Sequence, residues 1–201
     1  MTTTPTKKDI ALGVYNCGLL NFGEFTFKSG IKSPMYMNLR NLGSHPKFLR
    51  QVTDVFTSMM KGASFDLVGG IPYGAIPIMC SVSMELEVPL IFPRKESKEY
   101  GMAKDIVGDF SQGQNVALVD DLVTDGGSKT ESLVPLEAAG LKVKDIFVLL
   151  DYDRGAKDTL AADGYTLHSF MTVTETVDLI YEAGLIEEST HERAKEFLTS
   201  A

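Results

Sequence analysis

The stretch Val116 to Ser132, VALVDDLVTDGGSKTES, decides the fold. It opens on Val116-Ala117-Leu118-Val119, an unbroken apolar run of the kind a strand needs when both faces of its sheet are covered. Two adjacent acids, Asp120 and Asp121, end the strand. A turn, Thr124-Asp125-Gly126-Gly127-Ser128, then leads into a helix that Ser128 and Glu131 are spaced to cap. The glycine turn is thereby placed at the carboxyl end of a buried strand, where open α/β sheets bind ligands. Paired glycines let backbone N–H groups curl around a phosphate, the helix N-terminus adds partial positive charge, and the Thr124 and Ser128 hydroxyls add donors. A phosphomonoester fits such a turn. The acids repel phosphate, so their targets are sugar hydroxyls or a magnesium ion, which takes hard oxygen ligands. Neither a Walker A loop, GxxxxGK[ST], nor a GxGxxG dinucleotide turn occurs in the chain. A plain capping turn with two solvated acids would use some of the same residues, but the agreement of strand, acids, glycines and helix favours a ligand site.

Outward from this unit, strand and helix patterns alternate. Phe48, Leu49, Val52, Val55, Phe56, Met59 and Met60 fall on one face of a helix that starts near His45-Pro46. Strands are expected at Asp66–Gly70, Pro89–Phe92, Val143–Asp151 and Thr166–Phe170, with helices at Gly74–Glu87, from about Lys129, and at Lys157–Asp163. Repeated βα units imply an α/β fold with a doubly wound, mostly parallel sheet. Before them, Ile10, Ala11, Val14 and Leu20 recur at helical spacing, and Glu24–Phe27 alternates as a short strand. Two helices close the chain, the second with Ser189 and Glu192 at capping-box spacing. No repeat or linker divides the 201 residues, so a single domain over 1–201 is expected, with a small N-terminal region over about 1–45. The non-periodic stretch 94–114 carries Arg94, Lys95, Lys98 and Lys104 among glycines and reads as a long mobile loop.

Composition narrows the partners. Acids outnumber Lys and Arg by 27 to 19, a net charge of −8, which argues against a nucleic-acid surface. Cys17 and Cys80 cannot form a disulfide framework and have no ligand-spaced neighbours, which fits a reduced, cytoplasmic protein. The most apolar segment, Leu67 to Met84, is broken by Pro72, Pro77 and paired glycines, so no membrane span is expected. His45, His168 and His191 show no metal-ligand spacing.

The apolar strand, two acids and TxGGS turn resemble the PRPP-binding signature of the type I phosphoribosyltransferases. Three further segments resemble the orotate phosphoribosyltransferases of that class: Phe22–Pro34 (FGEFTFKSGIKSP), Gly69–Pro77 (GGIPYGAIP) and Arg94–Gly101 (RKESKEYG). The resemblance covers almost the whole chain, and its motifs stand in the family's order. It implies the type I phosphoribosyltransferase fold with an N-terminal hood, and transfer of phosphoribose from PRPP to orotate with release of pyrophosphate, in pyrimidine synthesis. It implies Mg²⁺ as cofactor, and a homodimer in which the 94–114 catalytic loop closes over the neighbouring subunit's site. In some organisms this activity is fused to a decarboxylase, for which 201 residues leave no room, so a monofunctional enzyme is expected.

Carried over by position, the resemblance assigns Lys98, with Arg94 and Lys95, to the leaving pyrophosphate. PRPP would be held by Lys28, Tyr73, these loop cations and Tyr100, by Asp120 and Asp121 at the ribose, and by Thr124, Asp125, Gly126, Gly127 and Ser128 at the phosphate. Orotate would meet Lys28, Tyr36, Met37, Thr124 and Arg154. Magnesium would arrive with PRPP, with Asp120 and Asp121 as possible ligands. Three positions depart from the family. Tyr100 stands where a His is common, and Gly74 where some members have Lys. Tyr152 follows Asp151 where an Asp-Arg pair usually supplies the base-binding arginine. Either Arg154 takes that role or base recognition differs, which leaves open a phosphoribosyltransferase for another base. The other alternative is a PRPP-sensing regulator without catalysis, against which the cationic loop argues.

Overall fold

The computed structural model describes residues 4–26, 30–94 and 106–200. Lys28, Lys95, Lys98, Tyr100 and Lys104 lie outside the described residues.

A six-stranded sheet runs β5-β4-β3-β6-β7-β8, built from β3 (Leu67–Gly70), β4 (Leu90–Pro93), β5 (Ile106–Val107), β6 (Asn115–Val123), β7 (Lys142–Asp151) and β8 (Thr166–Thr172). All neighbours are parallel except β5, which pairs antiparallel with β4. Apolar residues of the central strands alternate between two cores. Ala117, Val119, Phe147 and Leu149 face one core, while Val116, Leu118, Ile146 and Val148 face the other. A sheet buried on both sides needs apolar side chains at every step, which is why these strands carry no polar alternation.

The helices divide between those cores. Helix α3 (Ala75–Leu86) joins β3 to β4 and buries Ile78, Met79 and Val82 in the first, beside Val52 and Phe56 of α2 (Pro46–Met59). Helix α4 (Gly127–Ala138) joins β6 to β7 and buries Leu133 and Leu136 in the second, with Leu160 of α5 (Ala156–Ala162). The chain thus leaves β3 toward one edge of the sheet and β6 toward the other. These two strands are adjacent, so the crevice at their carboxyl ends is the topological switch point, where such sheets take ligands.

The first core continues into α1 (Lys7–Asn16) and α6 (Val173–Glu182), while α7 (Glu188–Thr199) adds Ala194 and Leu198. Gly13 of α1 is required there, because a Cβ would enter the ring of Phe48. A separate antiparallel hairpin, β1 (Leu20–Thr26) with β2 (Lys32–Met37), precedes a 3-10 helix at Leu39–Ser44.

Several expected boundaries move. Leu20 opens β1 instead of continuing the first helix, because the chain turns at Gly18, where φ is +65°. Ile106–Val107, inside the stretch expected to be loop, is held as a strand by pairing with Pro93 and Phe92. Ser189 caps nothing: Glu187 O already accepts the N–H groups of Thr190 and His191 at 3.0 and 3.1 Å, so the helix starts before it. Capping boxes occur instead at Thr6 with Asp9 and at Thr172 with Glu175. No helix among the described residues is long and apolar enough to cross a membrane.

Candidate active site

The loop that follows β3 reaches β6 at the switch point. Residues 71–74 follow β3, and 124–126 follow β6, so both lie at the carboxyl end of the sheet. The contact runs between Gly74 of the first loop and Asp121 of β6, where the Asp121 carboxylate fills the space a Cβ on residue 74 would need. A lysine at residue 74 could not occupy this arrangement. Tyr73 is 56% exposed beside it, and the Pro72–Tyr73 peptide bond is cis.

The acid pair sits within β6, not at its end, since pairing with β7 continues to Val123 opposite Asp151. Successive strand residues point to opposite faces, so the two acids have different surroundings. Asp120 is buried: Oδ1 accepts the N–H of Asp121 at 2.8 Å, and Oδ2 accepts Nζ of Lys129, itself buried in the first turn of α4. Burial pushes the Asp120 carboxyl up to about 7, with the Lys129 ammonium pulling it down and Asp121 adding to the rise. Losing one partner of a buried pair typically costs about 3–5 kcal/mol. Asp121 is half-buried, and its Oδ1 accepts the N–H of Leu122 at 2.8 Å.

In the turn itself, Gly126 has φ of +90°, a backbone state that favours glycine, and Asp125 Oδ1 accepts the N–H of Gly127 at 3.1 Å. The helix begins at Gly127, two residues before the expected Lys129, with Gly126 and not Ser128 at its N-cap. Thr124 is half-buried, and Asp125 and Gly127 are exposed, so the turn opens to solvent at a helix N-terminus, an electropositive position.

Past β7, Asp151 organises the next loop. Its Oδ1 accepts the N–H of Asp153 at 2.8 Å, its Oδ2 accepts the Ser169 hydroxyl at 3.3 Å, and Asp153 takes a left-handed φ of +56°. Arg154 is thereby turned inward, its guanidinium 5.3 Å from the Tyr152 ring centroid and 5.6 Å from that of Phe197 on α7. Nε and one terminal nitrogen of Arg154 are buried and have no hydrogen-bond partner among the described residues. Burial raises the Tyr152 hydroxyl, which Arg154 lowers and Asp121 raises, so this segment shares its electrostatic surroundings with the acid pair.

Phe197 also lines a cavity of about 550 Å³ with Gly23–Thr26 and Lys32–Pro34 of the hairpin. Among the described residues, neither Tyr36 nor Met37 lines it; Tyr36 lies on β2 against Phe25, ring centroids 5.6 Å apart, and Met37 packs toward the first core. Arg94 is exposed where β4 ends. Lys129 and Phe197 were not expected at the site from sequence. A lysine just past a glycine turn and an aromatic near the chain end carry no local signal for these contacts.

No family model matches the chain. It is 36% identical over 169 residues to an orotate phosphoribosyltransferase of Methanoculleus marisnigri, covering 84% of this chain and 97% of that one. It is 38% identical over 180 residues to the bifunctional enzyme PyrF/PyrE of a Nostoc species, covering 90% of this chain and 38% of that one. Among solved structures, the UMP synthase of Leishmania donovani superposes with a TM-score of 0.89 at 33% identity, over 98% of this chain and 43% of that one. The chain therefore spans about two fifths of the Nostoc and Leishmania relatives and almost all of the Methanoculleus one.

Proposed function

The chain belongs to the orotate phosphoribosyltransferase family, and from that membership we propose that it transfers the 5-phosphoribosyl group of PRPP to orotate, giving orotidine 5′-monophosphate and pyrophosphate for UMP synthesis. The observation that carries the choice of base is Arg154. Buried guanidinium donors without partners are costly, and a planar carboxylate-bearing ring would satisfy them with charge-assisted hydrogen bonds. Arg154, two residues past the family's usual place, would supply the missing arginine, with the Tyr152 ring packed against it.

In this reading the turn from Thr124 to Ser128 receives the 5′-phosphate through backbone N–H groups, and Asp121 meets the ribose hydroxyls with Asp120 behind it. Thr124 reaches both phosphate and orotate, and Tyr73 borders the pyrophosphate. Lys28, Tyr36 and Met37 would contact orotate, as the family resemblance implies. The C1′–oxygen bond to pyrophosphate breaks while the base nitrogen, giving its proton up to solvent, bonds to C1′, so positive charge grows on the sugar and negative charge on the leaving group. Arg94, at the carboxyl end of β4, with Lys95, Lys98 and Tyr100 beyond it, would stabilise that leaving group. A loop closing there would also keep water from the activated sugar.

Magnesium fits this donor set as a guest of the substrate. Among the described residues no group of three or more His, Cys, Asp or Glu is placed to hold a metal. Asp121 offers the accessible carboxylate, while Asp120 is engaged by Lys129. When bound, Mg²⁺ supplies positive charge that eases charge build-up on pyrophosphate. The reading extends to a cytoplasmic homodimer that shares its catalytic loop between subunits.

The test is turnover of purified protein with PRPP and Mg²⁺, offered orotate, uracil or purines separately, followed by base absorbance and pyrophosphate release. Turnover with orotate alone is expected. Turnover with a different base would overturn the assignment of Arg154, and PRPP binding without turnover would make the protein a sensor.

A further inference from the structure

The ion pair between Lys129 and Asp120 closes the phosphate turn from behind. Asp120 lies within β6, Lys129 in the first turn of α4, and the Thr124–Ser128 turn is the segment strung between them. Both partners are almost inaccessible, Asp120 at 3% and Lys129 at 7% exposure. Each Asp120 oxygen is used, one by the Asp121 N–H and one by Lys129 Nζ, so the same carboxylate links the helix start to the backbone of the neighbouring acid. A cation meant to touch the ligand would be expected at the open face of the turn. Lys129 is spent inward instead.

We propose that Lys129 is a positioning residue for PRPP: acting through Asp120, it fixes the distance between β6 and the N-terminus of α4 and so holds the turn open in the shape that receives the 5′-phosphate. This rests on the reading of that turn as the phosphate site. Backbone donors bind phosphate well only when already aimed, and a clamp that spans the turn supplies that aim without contacting the ligand.

Calorimetric binding of PRPP with Mg²⁺, and of ribose 5-phosphate, to the full chain tests the inference, alongside kcat and KM. Lys129→Met is expected to weaken both ligands about tenfold or more and to raise the PRPP KM, with kcat at saturation changed less than about threefold. Lys129→Arg, which keeps the ion pair, should restore binding to within about threefold of the parent. The Asp120→Asn/Lys129→Met double variant should bind no worse than Lys129→Met, since two residues acting as one unit are not additive. That double variant leaves no unpaired charge buried, so it still reports if Lys129→Met alone fails to fold; binding equal to the parent would then overturn the clamp. Parent-like binding by a folded Lys129→Met, or weaker binding by the double variant than by Lys129→Met, would also overturn it. A parent protein that binds neither ligand would instead sink the phosphate-site reading itself.

Discussion

Gly74 and Asp121 meet across the switch-point crevice so closely that a Cβ on residue 74 would lie 2.5 Å from Asp121 Cγ. The glycine is not needed for its backbone, whose φ of −60° and ψ of −39° suit any residue. It is needed for space. Alanine at such a position ordinarily stabilises by about 0.4–1 kcal/mol through the unfolded state. Gly74→Ala is therefore expected to leave the melting temperature nearly unchanged while displacing Asp121 and raising the PRPP KM roughly tenfold, or about 1.4 kcal/mol. Kinetics with PRPP as the varied substrate, beside a thermal melt, check both halves.

Arg154→Ala should act on the other substrate. Charged hydrogen bonds are worth about 1.5–3 kcal/mol, so the orotate KM is expected to rise by roughly 10- to 150-fold while PRPP binding stays within about twofold. An unchanged orotate KM would mean that the ring is held elsewhere.

Lys98→Ala should lower kcat by roughly 10²-fold or more with little change in the PRPP KM, as expected for a group that acts on charge developing in the transition state. If the loop serves the neighbouring subunit, mixing the impaired Lys98→Ala and Arg154→Ala chains should regain activity at low orotate through hybrid dimers that contain one intact site. No regain would place the loop over its own subunit.

Glu175 ties the chain's start to α6. Oε1 accepts Lys7 Nζ at 2.7 Å and Oε2 accepts the Thr172 N–H at 2.9 Å. Burial alone would raise this carboxyl, but Lys7 and the Thr172 N–H outweigh it and hold it below the ordinary glutamate range. The folded chain therefore binds this proton less readily than the unfolded one. The stabilisation is fully present above the unfolded pKa and is lost as pH falls through the folded value. Glu175→Gln should melt lower than the parent at pH 7, with the gap closing toward about pH 3. Calorimetric melts at both pH values decide it, and an equal gap at both would assign the effect to packing instead of charge.

Local signals made the core of the fold legible. The unbroken apolar runs at β6 and β7 announced a sheet covered on both faces, and the paired glycines after the acids announced a turn into a helix, because each feature reports the demands of its own few residues. Weaker local signals misled. Ser189 and Glu192 have capping-box spacing, yet the helix begins upstream at Glu188, and the two residues of β5 are a strand only because Phe92 and Pro93 stand opposite them.

What the chain's order alone determined was the succession of βα units and the positions of its glycine turns and acid pair, since backbone preference and periodic hydrophobicity act over a few neighbouring residues. Tertiary structure alone decided that Asp120 is committed to Lys129 while Asp121 reaches Gly74, and that Arg154 turns inward onto Phe197 with two of its nitrogens unpaired among the described residues. Those relations depend on which strands lie side by side and which face each side chain takes. Both are settled by packing two cores against one sheet, a condition that no short stretch of sequence carries.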